Sequence, residues 1–254
     1  MGKCLKIVLT AGGMLLLLAA GALAQPIPAP PDREDAPWSA IIATHPLDPW
    51  GAIIDSKEDI LTLSQGETVY LKLEPGKEVK AGDRFFLLQT GQVVTHPVTG
   101  RKLGRLVILA GECQALDGNR EIVSAMIVKT RRSIYRGDQV VPRLPVVEAG
   151  FTQTRQKIEG LVILALEGER AISEREVIFI DRGIRDGVIV GDRLAIFKLG
   201  DFAPQVLERY KEELPMAQVG EAVIVAVQEE TSSALVTLSS QAIYVGDRVV
   251  SAPK

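Results

Sequence analysis

Four side chains in this sequence have types suited to general-base, nucleophilic or metal chemistry near neutral pH: His45, His96, Cys4 and Cys113. His45 stands in a proline-rich stretch. His96 lies in "THPVTGRKLG", where Pro97 and Gly100 predict a tight turn between strands. Neither belongs to a metal-ligand spacing pattern. His96 and Cys113 lack the local signature of a base and nucleophile, and Cys113 reads better as a small apolar residue. No G-x-S-x-G elbow or G-x-x-x-x-G-K phosphate loop occurs. The carboxylates of "EGERAISERE", residues 167–176, read as a solvated turn and strand edge rather than a catalytic pair. The sequence therefore predicts no catalytic residue, no cofactor site and no metal ligand.

One tripeptide remains. Arg136-Gly137-Asp138 matches an extracellular adhesion signal, but it sits in a pattern, apolar-x-x-Gly-Asp, that occurs four times: Val79 to Asp83, Ile134 to Asp138, Val188 to Asp192 and Ile243 to Asp247. Glycine takes positive φ at no steric cost, and aspartate bonds a nearby backbone N–H, so each copy predicts a turn leading into a strand. The residue before glycine is Ala81, Arg136, Val190 or Val245. On this reading Arg136 is incidental, and its loss should change stability by no more than about 0.5 kcal/mol.

These turns belong to a larger repeat with an offset of 109 residues. "GAIID" at 51 answers "GLVIL" at 160, "ETVYL" at 67 answers "EVIFI" at 176, and "SIYRGDQVV" at 133 answers "AIYVGDRVV" at 242. "VKAGDRFFLL" at 79 and "SAMIVKT" at 124 also find partners at that offset. A duplicated fold must keep such an apolar pattern. "LGRLVILA" at 103 is best matched by "VGEAVIVA" at 219, an offset of 116. That match predicts length changes in flanking loops at 110–120 and 197–218. Leu207, Tyr210 and Leu214 are spaced for a short helix in the longer loop.

The blocks alternate polar and apolar residues, with Val69, Leu71 and Leu73 on one face, the signature of half-buried strands. About six short strands per unit predict an all-β chain of two tandem antiparallel units, each a small barrel or sandwich.

The start of the chain differs. "MGKCLK" is basic, "IVLTAGGMLLLLAAGALA" is apolar, and Ala22 and Ala24 form a small-x-small cleavage pattern. Residues 1–24 read as a secretory signal peptide cleaved after Ala24, the alternative being an uncleaved anchor. Cys4 precedes the apolar run, so it is not a lipid-attachment cysteine. Removing Lys3 and Lys6 from 29 basic residues leaves 27 against 32 acidic ones, a charge of -5. That balance does not point to nucleic acid. Residues 25–50, with seven prolines, read as an extended linker whose Trp38 and Trp50 pack onto the following domain. The expected organisation is then a first unit at 51–145, a linker at 146–159 and a second unit at 160–253.

"DPWGAIIDSKEDILTLSQGETVYL", "AGDRFFLL", "VTHPVTGRKLGRLVILAGEC" and "IYRGDQVVPRLP" resemble the region that follows the LysM module in Gram-negative envelope proteins. "VIFIDRGIRDGVIVGDRLAIFK" through "GDRVVSAP" is also similar to the C-terminal domain of the flagellar assembly protein T family. The resemblance implies an exported, β-rich, non-enzymatic protein of the Gram-negative envelope; with the leader, the duplicated units and the lack of a site, the expectation is a periplasmic structural or adaptor component with an envelope protein partner. Residues 25–50 are too short and proline-rich to be a LysM module, so glycan or peptidoglycan binding is the alternative rather than the implied function.

Overall fold

The computed structural model describes residues 40–144, 157–168, 171–200 and 214–251, together with residues 205, 208 and 209. The leader, its cleavage point and Trp38 lie outside them. The chain is all-β, as its alternation predicts. Strands β2 (Gly51–Ser56), β3 (Thr68–Leu73), β4 (Arg84–Thr95), β5 (Lys102–Ala115), β6 (Ile122–Thr130) and β7 (Gln139–Val141) pair in the cyclic order β2-β3-β6-β5-β4-β7 and back to β2. Strands β8 (Glu159–Ala165), β9 (Val177–Ile180), β10 (Arg193–Leu199), β11 (Met216–Val227), β12 (Ser232–Ser239) and β13 (Arg248–Ser251) form a closed barrel in the same cyclic order. Every neighbouring pair is antiparallel.

The two barrels agree residue for residue. Val69 lies opposite Ala125, and Ile178 opposite Ala234. The bridge between Leu63 and Ile134 recurs between Ile172 and Ile243. In β3 the side chains of Val69, Leu71 and Leu73 enter the first core, where they meet Phe85, Leu87 and Ile127. Ile178, Ile180, Leu194 and Ile196 do the same in the second.

The offset of 116 is overturned. Phe85 faces Cys113 in the first barrel and Leu194 faces Ala222 in the second, so β5 and β11 also stand 109 residues apart. The true match is "AGEC" at 110 with "VGEA" at 219. Residues 110–115, 197–199 and 216–218 are strand rather than loop. Gln205, Glu208 and Arg209 are helical; Leu207 and Tyr210 lie outside the described residues. The mismatch arose because β5 is buried on both faces, with Leu106, Val107, Leu109 and Ala110 all covered, so the alternation that fixes phase is missing. The glycines mislead too. At Gly220 a Cβ would fall 2.6 Å from the Leu238 carbonyl oxygen and 2.8 Å from Ile243, and Gly111 has the matching contacts. Gly104 serves something else: its Cβ would fall 2.3 Å from the carbonyl oxygen of Ala43.

Ala43 belongs to strand β1 (Ala40–Ala43), inside the stretch read as linker. β1 pairs with β5, Ala40 opposite Ile108 and Ala43 opposite Arg105. All four of its side chains are buried. Ile41 joins Leu88, Val107 and Leu109 against Val225 and Ala226 of the second barrel. Ile42 joins Val94, Leu103 and Leu106 against Ile163, Val177 and Phe179. Proline density misled here because "SAIIA" is a proline-free island within it. The barrels thus have separate cores and share a third apolar layer threaded by β1.

Truncating Ile42 to alanine should leave a cavity in that layer and cost about 2–5 kcal/mol, read from urea denaturation. Leu61, 85% exposed, gives the contrast. Its replacement by alanine should stay within about 0.5 kcal/mol.

Candidate functional site

Three places gather polar side chains: the four Gly-Asp turns, the seam between the barrels and a cleft beside β1. In the turns, Gly82, Gly137, Gly191 and Gly246 have φ of 95°, 95°, 92° and 99°. One carboxylate oxygen of each aspartate accepts the backbone N–H three residues earlier: Lys80 to Asp83 at 2.8 Å, Tyr135 to Asp138 at 3.0 Å, Ile189 to Asp192 at 3.1 Å and Tyr244 to Asp247 at 2.8 Å. Each aspartate N–H returns a bond to the carbonyl of that same residue. The pattern is a structural device, used four times. Burial pushes the carboxyls of Asp138 and Asp247 above the usual carboxylate range.

Arg136 is not incidental. Its guanidinium donates to Asp55 at 2.9 Å, to the carbonyl of Ile60 at 2.9 Å and to Ser56 at 3.2 Å. It pins the segment after β2 against the turn. Asp138 also accepts from Gln89 at 3.0 Å and is only 7% exposed. Both charged ends of the tripeptide are therefore committed internally, which leaves no adhesive loop.

The seam holds His96. Its Nδ1 accepts the N–H groups of Val98 and Thr99 at 3.1 and 3.3 Å, so Nε2 carries the proton and donates to Asp181 at 3.2 Å. Asp181 in turn accepts from the Leu161 N–H at 2.7 Å and from Arg182 at 2.8 Å. The side chains of His96 and Asp181 are only 9% and 8% exposed, with both ring nitrogens and both carboxylate oxygens engaged. Around them, Glu230 receives Arg101 at 2.6 Å and Arg185 at 2.8 Å, and its carboxyl is held below the usual range chiefly by Arg101. Arg132 pairs with Glu167. Two of these pairs, Arg101–Glu230 and Arg132–Glu167, cross from one barrel to the other. Sequence reasoning missed them, since partners 129 and 35 residues apart leave no local signal.

Cys113 is fully buried opposite Phe85, and burial pushes its thiol up to about 12. His96 stands at the far end of the same hairpin, so the two never form a base and nucleophile. Of the acidic run, Glu167 serves the seam and Glu174 accepts the N–H of Ser239 at 3.2 Å. Among the described residues no three His, Cys, Asp or Glu side chains cluster as metal ligands, and no helix is long and apolar enough to cross a membrane.

The cleft has a volume of about 390 Å³ and is lined by His45, Asp48, Trp50, Arg143, Gln228 and Glu229 among others. Trp50 is half-buried. Its ring lies 6.1 Å from that of Phe85, and Lys77 sits 5.4 Å above it. An indole beside carboxylates and a guanidinium can hold a small polar ligand with one apolar face. His45 lines this cleft away from His96, and the two histidines do not combine.

Arg136→Ala should lower the melting temperature, contrary to the sequence-based expectation. Arg136→Lys should restore little, because an ammonium cannot span the three acceptors. Gly137→Val should cost more than about 1 kcal/mol through positive φ. Calorimetry on the three variants checks both statements. The buried turn carboxyls give a pH test. Their folded pKa is raised, so the stability tied to these protons is present below the unfolded value and lost as pH rises through the folded one. Relative to an Asp138→Asn/Asp247→Asn variant, the wild type should gain stability between about pH 7 and about pH 4, read from urea midpoints.

Comparison with models of known protein families and with curated protein sequences finds no match for this chain.

Proposed function

We infer that this chain is a non-catalytic, exported component of a Gram-negative cell envelope, a structural or adaptor protein of a periplasmic assembly. One observation carries this reading. Of the described side chains suited to chemistry, His96, Cys113 and the four turn aspartates are committed to building and joining the two barrels, and His45 lines the cleft beside β1. What faces outward is the pair of barrels, with exposed apolar side chains such as Leu61, Val98 and Leu116 among polar ones. The basic-apolar-small leader supports export, and the resemblance to the region after LysM modules supports the envelope. The partner is an envelope protein, and the acidic balance argues against nucleic acid. A second reading, glycan binding, is favoured by the cleft that holds Trp50 with Asp48, Arg143 and Glu229.

Crosslinking in intact cells, followed by purification of the chain, should recover a defined envelope protein. Recovery of nothing above background would remove the adaptor reading. Pelleting with purified peptidoglycan separates the second: binding that falls on Asp48→Ala and Arg143→Ala would support glycan recognition in the cleft, and retention in the supernatant would exclude it.

A further inference from the structure

The duplication shows which surface of the first barrel lacks, among the described residues, the cover that its counterpart has. In the second barrel the outer face of β8, β9 and β11 is covered by the first: Ile163 is 3% exposed, Phe179 0% and Val225 8%. Shifting by 109 residues lands on Ile54, Tyr70 and Leu116 of the first barrel. There Ile54 is 41% and Leu116 49% exposed, and neighbouring Ile122 is 48% exposed. These residues are contiguous. Tyr70 lies opposite Ser124, Thr68 opposite Met126 and Lys72 opposite Ile122, while the N–H of Leu116 bonds the carbonyl of Ser124. They form a mixed outer face on β2, β3, β6 and the end of β5, in which Ile54, Tyr70, Leu116 and Ile122 stand among Thr68, Lys72 and Ser124, with Asp55, Lys57 and Asp117 in place of Leu164, Leu166 and Ala226.

The covering element has a counterpart too. Val225 is covered by Leu88, Val107, Leu109 and Val141. Their equivalents on the second barrel are Phe197, Met216, Gln218 and Val250. None of these four is buried, and Met216 is 38% exposed. Among the described residues, each barrel thus carries one such face without a partner.

We propose that two copies of this chain dock head to tail, the β10–β11 side of one second barrel covering the β2–β3–β6 face of another copy's first barrel. The contact inside one chain is its template. Two features make the contact between chains the weaker of the two. The receiving face mixes charged residues with its apolar centre, the composition of a reversible interface. The contribution of β1 also has no counterpart among the described residues of the second barrel. The inference rests on the duplicated pairing alone and stands apart from the adaptor reading.

Sedimentation velocity on the purified protein tests it. The wild type should associate reversibly below about 0.1 mM, where a micromolar contact is populated. Leu116→Glu breaks the receiving face and Met216→Lys the docking side, so each variant alone should be monomeric. Mixed together they should form a one-to-one complex, because each retains the face that the other lacks. Both side chains are exposed, so melting temperatures should hold; Ile122→Glu replaces Leu116→Glu if the latter does not fold. A wild type monomeric throughout this range overturns the proposal. So does a Met216→Lys variant that associates normally, which would mean that like faces meet, or a mixture that forms no complex.

Discussion

The fold depends on a carboxylate accepting a backbone N–H three residues behind it, across a glycine held at positive φ. Each such turn fixes where a strand begins. The turns at Gly82 and Gly137 launch β4 and β7, and those two strands pair with each other. The turns at Gly191 and Gly246 launch β10 and β13, which also pair. The clamped turns therefore set the register at which each ring closes. Exchanging β2, β3 and β4 for β5, β6 and β7 maps every pairing of the first barrel onto another, so each barrel is a two-fold arrangement of strand, strand, turn and strand. Burying a carboxylate to hold such a turn works against its charge. That cost is accepted twice, at Asp138 and Asp247, where the N–H bonds offset part of it.

With interiors so alike, the difference between the barrels lies outside. The second presents leucine, valine and phenylalanine where the first presents aspartate, threonine and tyrosine. That change makes one exterior half of a packed layer within the chain and leaves the other partly exposed there. Gly104 belongs to the same division of labour. It has no glycine counterpart at the 109 offset, where the sequence has Glu213 instead, and its bare backbone lets β1 come close.

The alternation of β3 and the Gly-Asp turns were legible because one face of each segment meets water and because turn chemistry is local. Two tandem antiparallel units followed from them, while the closure of each into a ring and the order of pairing became visible only in the structure. Three things were hidden for physical reasons. The phase of β5 vanished when both of its faces were buried. The strand Ala40–Ala43 is too short to outweigh the prolines around it. The role of Arg136 depends on Asp55 and Ile60, which reach it only through the pairing of β2 with β7. The seam pairs and the Trp50 cleft are likewise products of tertiary approach. Nothing in the spacing of His96 announces Asp181.

The position of β1 has a consequence for the order in which this protein can be completed. β1 precedes both barrels in the chain, yet the carbonyl of Ala40 accepts from Ser233, 193 residues later. A chain threading out from its N-terminus presents two adjacent isoleucines long before their cover has been made. The first barrel can close as soon as Val141 is available, since its ring needs nothing beyond that point. The middle layer waits for β12. Contacts of such sequence separation form slowly, because the loop they close must be ordered before any burial rewards it. Until β8, β9 and β11 are in place, Ile41 and Ile42 have no cover from the second barrel.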